Sequence, residues 1–174
     1  MNYRLMVYDD FFMHPEEIRK KALEQKFNQL GNYPGRRTDQ CKVILPNMFN
    51  ELEIAIKPLT PANTTIKLCS FQLVEEQDLV RYSIHQDMCF TGIIYLNSNS
   101  VPNSGTSFYT HIETGWDGTT PKPESIDFIN ALDFEQTSVI ENKFNRMIIY
   151  DGNIIHKISG ASEERLTIVF GVAE

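Results

Sequence analysis

Tyr82-Ser-Ile-His85-Gln-Asp87-Met-Cys-Phe90-Thr-Gly-Ile-Ile-Tyr-Leu96 is the stretch whose reading decides the fold. Its second half, 91–96, is apolar on both faces, which fits a strand covered on both sides. Its first half sets His85 and Asp87 two residues apart at the edge of that strand. A period of two puts both side chains on one face, where a single ion could bind them together. The competing reading is a pair of solvated polar residues at a strand end.

Outward from this stretch, residues 64–74, 106–110, 146–150, 154–158 and 166–172 share the same β-branched and aromatic texture. Asn, Ser, Gly and Pro separate several of them, most clearly over 97–105. Upstream, 3–8 reads as a short strand. Pro15 opens a helix that Gly31 stops, with Ile18, Ala22, Leu23, Phe27 and Leu30 on one face. A turn-rich loop covers 31–38, and a second helix runs over 46–57, with Pro58 ending it. Residues 111–145 are less regular, with a Pro-x-Pro turn at Pro121 and Pro123 and a short helix expected near 124–132.

These elements predict a mostly β (α+β) chain: a double-stranded β-helix, or cupin-like jelly roll, with the N-terminal helices packed on one sheet. One domain is expected over 1–174. Within it, 1–63 supplies the N-terminal strand and supporting helices, and 64–174 the jelly-roll core with an insertion at 111–145.

The chain has 16 basic and 23 acidic residues, a net charge of −7, which disfavours a nucleic-acid partner. Cys41, Cys69 and Cys89 show neither zinc nor disulfide spacing and read as buried thiols in a reducing compartment. The first twelve residues lack the pattern of a signal peptide. No apolar run approaches the roughly 18–20 residues of a membrane span. A soluble, cytoplasmic protein with no membrane partner is expected; its oligomeric state is not legible.

His-x-Asp alone is weak, since chance supplies such pairs, and a second one stands at His111-x-Glu113. That second pair leads straight into Gly115 within the irregular segment, and a structural or substrate-edge role suits it better than ligation. His156 lies on an otherwise apolar strand, where the plain expectation is a core histidine with its hydrogen bond satisfied. Arg165 changes that balance. It opens the strand Arg165-Leu-Thr-Ile-Val-Phe170, sharing a face with Thr167 and Val169, and a guanidinium there is costly to bury unless an anion meets it. The alternative is a surface arginine paired with Glu163 or Glu164. Two imidazoles and a carboxylate form the facial ligand set of non-heme Fe(II), with open positions remaining.

In this order, Tyr82-x-x-His85-x-Asp87, Gly92-Ile-Ile-Tyr-Leu-Asn97, Gly105-Thr-Ser-Phe108, His156 and Arg165-x-Thr167, the chain resembles the Fe(II)/2-oxoglutarate-dependent dioxygenases, and within them the prolyl 4-hydroxylase-like branch. The resemblance covers about 64–172. It implies His85, Asp87 and His156 as iron ligands and Arg165 as the partner of the 2-oxoglutarate C5 carboxylate. Tyr95 and Thr167 would assist Arg165, and Tyr82 would touch co-substrate or substrate, or brace His85. It also implies Fe(II), 2-oxoglutarate and dioxygen as cofactors, with ascorbate an optional reductant. Asp87 in place of alanine or glycine favours hydroxylation over halogenation. Ser104-Gly105 replaces the family's glycine pair.

The implied activity is hydroxylation of an unactivated C–H bond in a peptide, a protein side chain or an amino-acid-like small molecule. The alternatives are a non-catalytic metal-binding jelly-roll module and a nucleic-acid demethylase of the same superfamily. Tyr33-Pro-Gly-Arg-Arg37 offers cations and an aromatic to an acidic substrate, or is a solvated connector. The 111–145 segment with Trp116 forms a lid over the metal, or packs on the sheet exterior.

Overall fold

Alternation along the last strand organises the molecule. The computed structural model describes residues 4–80, 83–99, 102–126, 130–160 and 164–174. In β9 (Arg165–Ala173), Leu166, Ile168, Phe170 and Val172 enter one large apolar cluster, while Val169 enters a second on the opposite face. Both faces are covered, so the strand is buried along almost its whole length.

β9 lies near the middle of a six-stranded sheet ordered β1-β7-β4-β9-β3-β2. Its members are β1 (Leu5–Tyr8), β2 (Arg36–Gln40), β3 (Thr65–Val74), β4 (Phe90–Tyr95) and β7 (Met147–Tyr150), all paired antiparallel. A three-stranded antiparallel sheet joins β6 (Phe134–Ile140), β5 (Thr106–His111) and β8 (His156–Ile158), in that order. Ile93, Tyr95, Ile148, Tyr150 and Val169 of the large sheet pack with Phe108 of the small one, so the two sheets face each other. Among the described residues they do not close into a barrel.

Helices α1 (Pro15–Leu23) and α3 (Pro46–Ile56) cover the other face of the large sheet. Ile18, Ala22, Met48, Phe49, Leu52 and Ile56 pack there against Phe71, Ile94, Ile149, Ile168 and Phe170. The architecture is mostly β with the N-terminal helices on one sheet, as the sequence predicts.

Four local expectations need correction. The first helix stops at Leu23, not Gly31, and Leu23 and Leu30 are exposed. The apolar spacing continued to fit a helix, but Gln29 and Arg37 exchange two backbone hydrogen bonds of 2.9 Å, which hold 29 in an extended bridge. For the same reason 36–40 is an edge strand, not a loop. Its sequence, Arg-Arg-Thr-Asp-Gln, has no apolar alternation, and backbone pairing with β3 and with Gln29 specifies it. A short helix, α2 (Cys41–Ile44), follows it directly.

The irregular region ends in β6, whose exposed polar residues masked it as a strand. In the expected helix near 124–132, residues 127–129 lie outside the described residues. The flanking residues form a turn at 124–125 and a single 3-10 turn at Ala131–Asp133.

Gly105 is required by a close approach of backbone. A Cβ there would stand 1.9 Å from the Ile140 carbonyl oxygen of β6. Gly105→Ala is expected to push β5 and β6 apart and destabilise the fold by about 1–3 kcal/mol. A lower denaturant midpoint at unchanged slope would show it.

Candidate metal centre

His85 and His156 are joined through their backbones. His85 N–H donates to the His156 carbonyl (3.1 Å), and His156 N–H donates to the His85 carbonyl (3.0 Å), an isolated antiparallel bridge. The rings consequently lie side by side, centroids 4.3 Å apart. Each Nδ1 is placed against a local carbonyl, Ser83 O at 3.0 Å and Ile154 O at 2.8 Å. With the Nδ1 protons committed there, both Nε2 lone pairs point the other way, toward Asp87.

Asp87 is held by its own backbone, whose N–H donates to the Gly152 carbonyl at 2.8 Å. Its carboxylate stands 3.4 Å from His156 Nε2 and 3.8 Å from His85 Nε2. Thr91 Oγ1 donates to Asp87 Oδ2 at 2.6 Å and fixes the carboxylate plane. The three donor atoms all lie within 4.8 Å of one another. Gly152 permits this approach, since a Cβ there would stand 2.0 Å from the Cys89 carbonyl oxygen.

The electrostatics suit a cation. Burial takes the His85 imidazole down to about 4, and neighbouring His156 pushes the same way. Burial would raise the Asp87 carboxyl, but the adjoining His156 imidazole and the hydrogen bond from Thr91 outweigh it and leave the group at about 2. At neutral pH the cluster therefore presents a neutral His85 and an ionised Asp87, the forms in which these groups ligate metals.

Deeper in the same cavity, of about 230 Å³, lies Arg165. It is 1% exposed, which rules out the surface arginine paired with Glu164; Glu163 lies outside the described residues. Its Nε donates to the Ser104 carbonyl (3.0 Å), and its guanidinium stands 5.2 Å from the Tyr95 ring centroid. Tyr95 is fully buried, with its hydroxyl 2.8 Å from Thr106 Oγ1. Burial raises its phenol, and the Arg165 charge partly offsets this. Thr167, directly opposite Tyr95 in register, has a buried hydroxyl with no hydrogen bond among the described residues. Such a group costs about 1–3 kcal/mol unless something meets it. Tyr82 lies outside the described residues.

The structure thus brings His85, Asp87, His156 and Arg165 to one cavity, with Tyr95 beside Arg165 and Thr167 opposite Tyr95 behind its lining. It leaves the second His-x-Glu pair out. His111 is buried with its Nδ1 3.0 Å from Thr114 Oγ1 and its ring edge-on to Phe134, a structural role.

The described part of 111–145 does not line the cavity. Trp116 packs with Ile84, Ile126, Phe134 and Ile155. Ile84 and Ile155 directly precede His85 and His156, so this cluster buttresses the far side of the two histidine segments instead of lidding them. Sequence reading missed Thr91, Thr106, Gln72 and Gly152. Only Thr106 carried a signal, its place in Gly105-Thr-Ser-Phe108. Cys89 also lines the cavity and is half-buried, while Cys41 and Cys69 are buried thiols as expected.

The fold is similar to that of several solved proteins, 2-oxoglutarate-dependent oxygenases among them. HygX from Streptomyces hygroscopicus, solved with nickel, 2-oxoglutarate and hygromycin B, is similar with a TM-score of 0.69. It is 10% identical, over 97% of this chain and 82% of that one. SnoN, the non-heme alpha ketoglutarate dependent epimerase from nogalamycin biosynthesis, scores 0.66 at 10% identity, over 98% and 78%. A prolyl hydroxylase from Trichoplax adhaerens, in complex with a hypoxia inducible factor peptide fragment, scores 0.59 at 13%, over 98% and 84%. At such identities the likeness is one of fold, and it does not single out the prolyl hydroxylase branch.

Residues 1–133 match the model of a family of unknown function, DUF6445, and the chain belongs to that family. No curated protein matches the sequence. Among the described residues no helix is long and apolar enough to cross a membrane.

The cluster is expected to take one divalent ion per chain, measurable with Mn(II) by calorimetry. Asp87→Ala and His156→Ala should each weaken that binding at least tenfold, because two donors cannot close the facial set.

Proposed function

We propose that the protein is an Fe(II)- and 2-oxoglutarate-dependent dioxygenase that hydroxylates a C–H bond of a small molecule or peptide. One observation carries this reading: His85, Asp87 and His156 converge in a cavity that also holds a buried arginine. A metal-binding module alone would have no use for a guanidinium at the cavity floor.

The residues fit both groups. His85 Nε2, Asp87 and His156 Nε2 would occupy one face of the ion, leaving the other positions open. Arg165 would pair with the distal carboxylate of 2-oxoglutarate, and the buried Thr167 hydroxyl would gain in that carboxylate the partner it otherwise lacks. Tyr95 would position Arg165, with its own hydroxyl held by Thr106. Bound iron supplies oxygen activation, and 2-oxoglutarate the electrons that accompany it. The chain itself contributes placement and exclusion of water: Tyr150 packs edge-on to His156 at 4.8 Å, and Ile93, Ile158 and Val169 line the cavity with hydrocarbon.

The neighbours support a broad substrate range, since HygX was solved with hygromycin B and the prolyl hydroxylase with a peptide. The net charge of −7 keeps nucleic acid disfavoured.

Under anaerobic conditions, protein with Fe(II) and 2-oxoglutarate should develop the visible charge-transfer band of a chelated 2-oxo acid. Under air it should release succinate and carbon dioxide in equal amounts. Zinc binding with no turnover of 2-oxoglutarate would instead establish the binding module. Arg165→Lys keeps the charge but loses the planar fork, so 2-oxoglutarate affinity should fall about 10- to 100-fold, for a charge-assisted bond of about 1.5–3 kcal/mol. Calorimetry on the Mn(II)-loaded protein reads that loss directly, and an unchanged affinity would remove Arg165 from this role.

A further inference from the structure

Asp87 turns one carboxylate oxygen toward each imidazole. Its Oδ1 stands 3.8 Å from His85 Nε2, and its Oδ2 stands 3.4 Å from His156 Nε2. A carboxylate lying along the histidine pair in this way could give both oxygens to one ion. Thr91 makes the two oxygens unequal. Its Oγ1 donates to Oδ2 at 2.6 Å, in the short range of a hydroxyl bound to an ionised carboxylate.

The donor is firmly held. Thr91 lies on β4, paired in register with Tyr150 of β7 on one side and Gly171 of β9 on the other. A β-branched side chain on a paired strand is stiff at χ1. The other acceptor near its hydroxyl, the Cys89 carbonyl, is 3.4 Å away, too far to compete with an oxygen at 2.6 Å. Across the register, Tyr150 packs edge-on to His156. One register pair thus supports two of the three donors, Thr91 by a hydrogen bond and Tyr150 by ring packing.

The number of ligating oxygens decides how much of an ion stays available. Two imidazoles and one carboxylate oxygen leave three octahedral positions open. A chelating 2-oxo acid fills two of these, and one remains for dioxygen. A second oxygen from Asp87 would close that last position.

Resting on the function proposed above, we infer that Thr91 is a positioning residue of the metal centre. By holding Oδ2 it restricts Asp87 to ligation through Oδ1, and it keeps one position on the ion free beside bound 2-oxoglutarate. Thr91 acts through Asp87 and takes no part in the ligand set itself.

The test loads the anaerobic full chain with Mn(II). Bound water is counted from the broadening of the Mn(II) paramagnetic resonance in water enriched in oxygen-17, with and without saturating 2-oxoglutarate. Thr91→Ala removes the hydroxyl without adding bulk, Thr91→Val removes it and keeps the branched shape, and Thr91→Ser retains it. The Ala and Val variants should each hold one water fewer than the wild type, and none once 2-oxoglutarate is bound. The Ser variant should match the wild type in both states. With Fe(II) in air, 2-oxoglutarate consumption by the Ala and Val variants should fall about 10- to 100-fold, the usual cost of removing a partner of a ligating carboxylate.

The inference is overturned if either folded hydroxyl-free variant keeps the wild-type water count, or if Thr91→Ser loses a water as they do. A threonine that served the strand alone would lower the melting temperature of the metal-free protein and leave that count unchanged. A wild-type chain that binds Mn(II) but not 2-oxoglutarate sinks the proposed function, and the count on Mn(II) alone still decides the role of Thr91. A wild-type chain that binds no divalent ion sinks both.

Discussion

Two backbone hydrogen bonds, exchanged between His85 and His156, hold the candidate site together. They are reciprocal and independent of the side chains they position. A bridge of this kind sets the two Cα atoms opposite each other, so the rings must lie side by side. The local carbonyls of Ser83 and Ile154 then turn each Nδ1 away, and both Nε2 atoms look toward Asp87.

The surroundings of that bridge serve two opposed needs. On one side, Ile84 and Ile155 sink into a cluster with Trp116, Ile126 and Phe134, which anchors the histidine segments by hydrocarbon burial. On the other, the same segments present donors to a cavity whose far end holds Arg165. Strict alternation along β9 repeats the pattern: Leu166, Ile168 and Phe170 pack under the helices, while Arg165, Thr167 and Val169 face the smaller sheet. Because successive side chains point to opposite faces, one strand contributes to both core and site without compromise.

The legible part of the sequence was the part governed by alternation. The strands at 64–74, 90–96 and 166–172 announced themselves through apolar residues on two faces, and the structure places strands within a residue or so of each. Illegible parts were those held by partners distant in the chain. β2 is polar throughout and exists because β3 offers it an edge; β6 exposes its polar residues for the same reason. The first helix ends early because Gln29 bonds to Arg37, a contact that helical periodicity cannot register. Arg37 itself read equally well as a solvated connector residue until register put it in line with Gln72 and Thr167.

What the chain determined alone was chemical type and facing: two imidazoles, a carboxylate and an arginine on strand segments that alternate between core and cavity. What only the tertiary structure decided was which His-x-acid pair meets His156. His85 and His111 have the same local pattern, and both adjoin strands. One forms a backbone bridge with His156, and the other is turned toward Thr114 and Phe134. That choice rests on hydrogen bonds and packing between segments remote in sequence, and no periodicity within either segment encodes it.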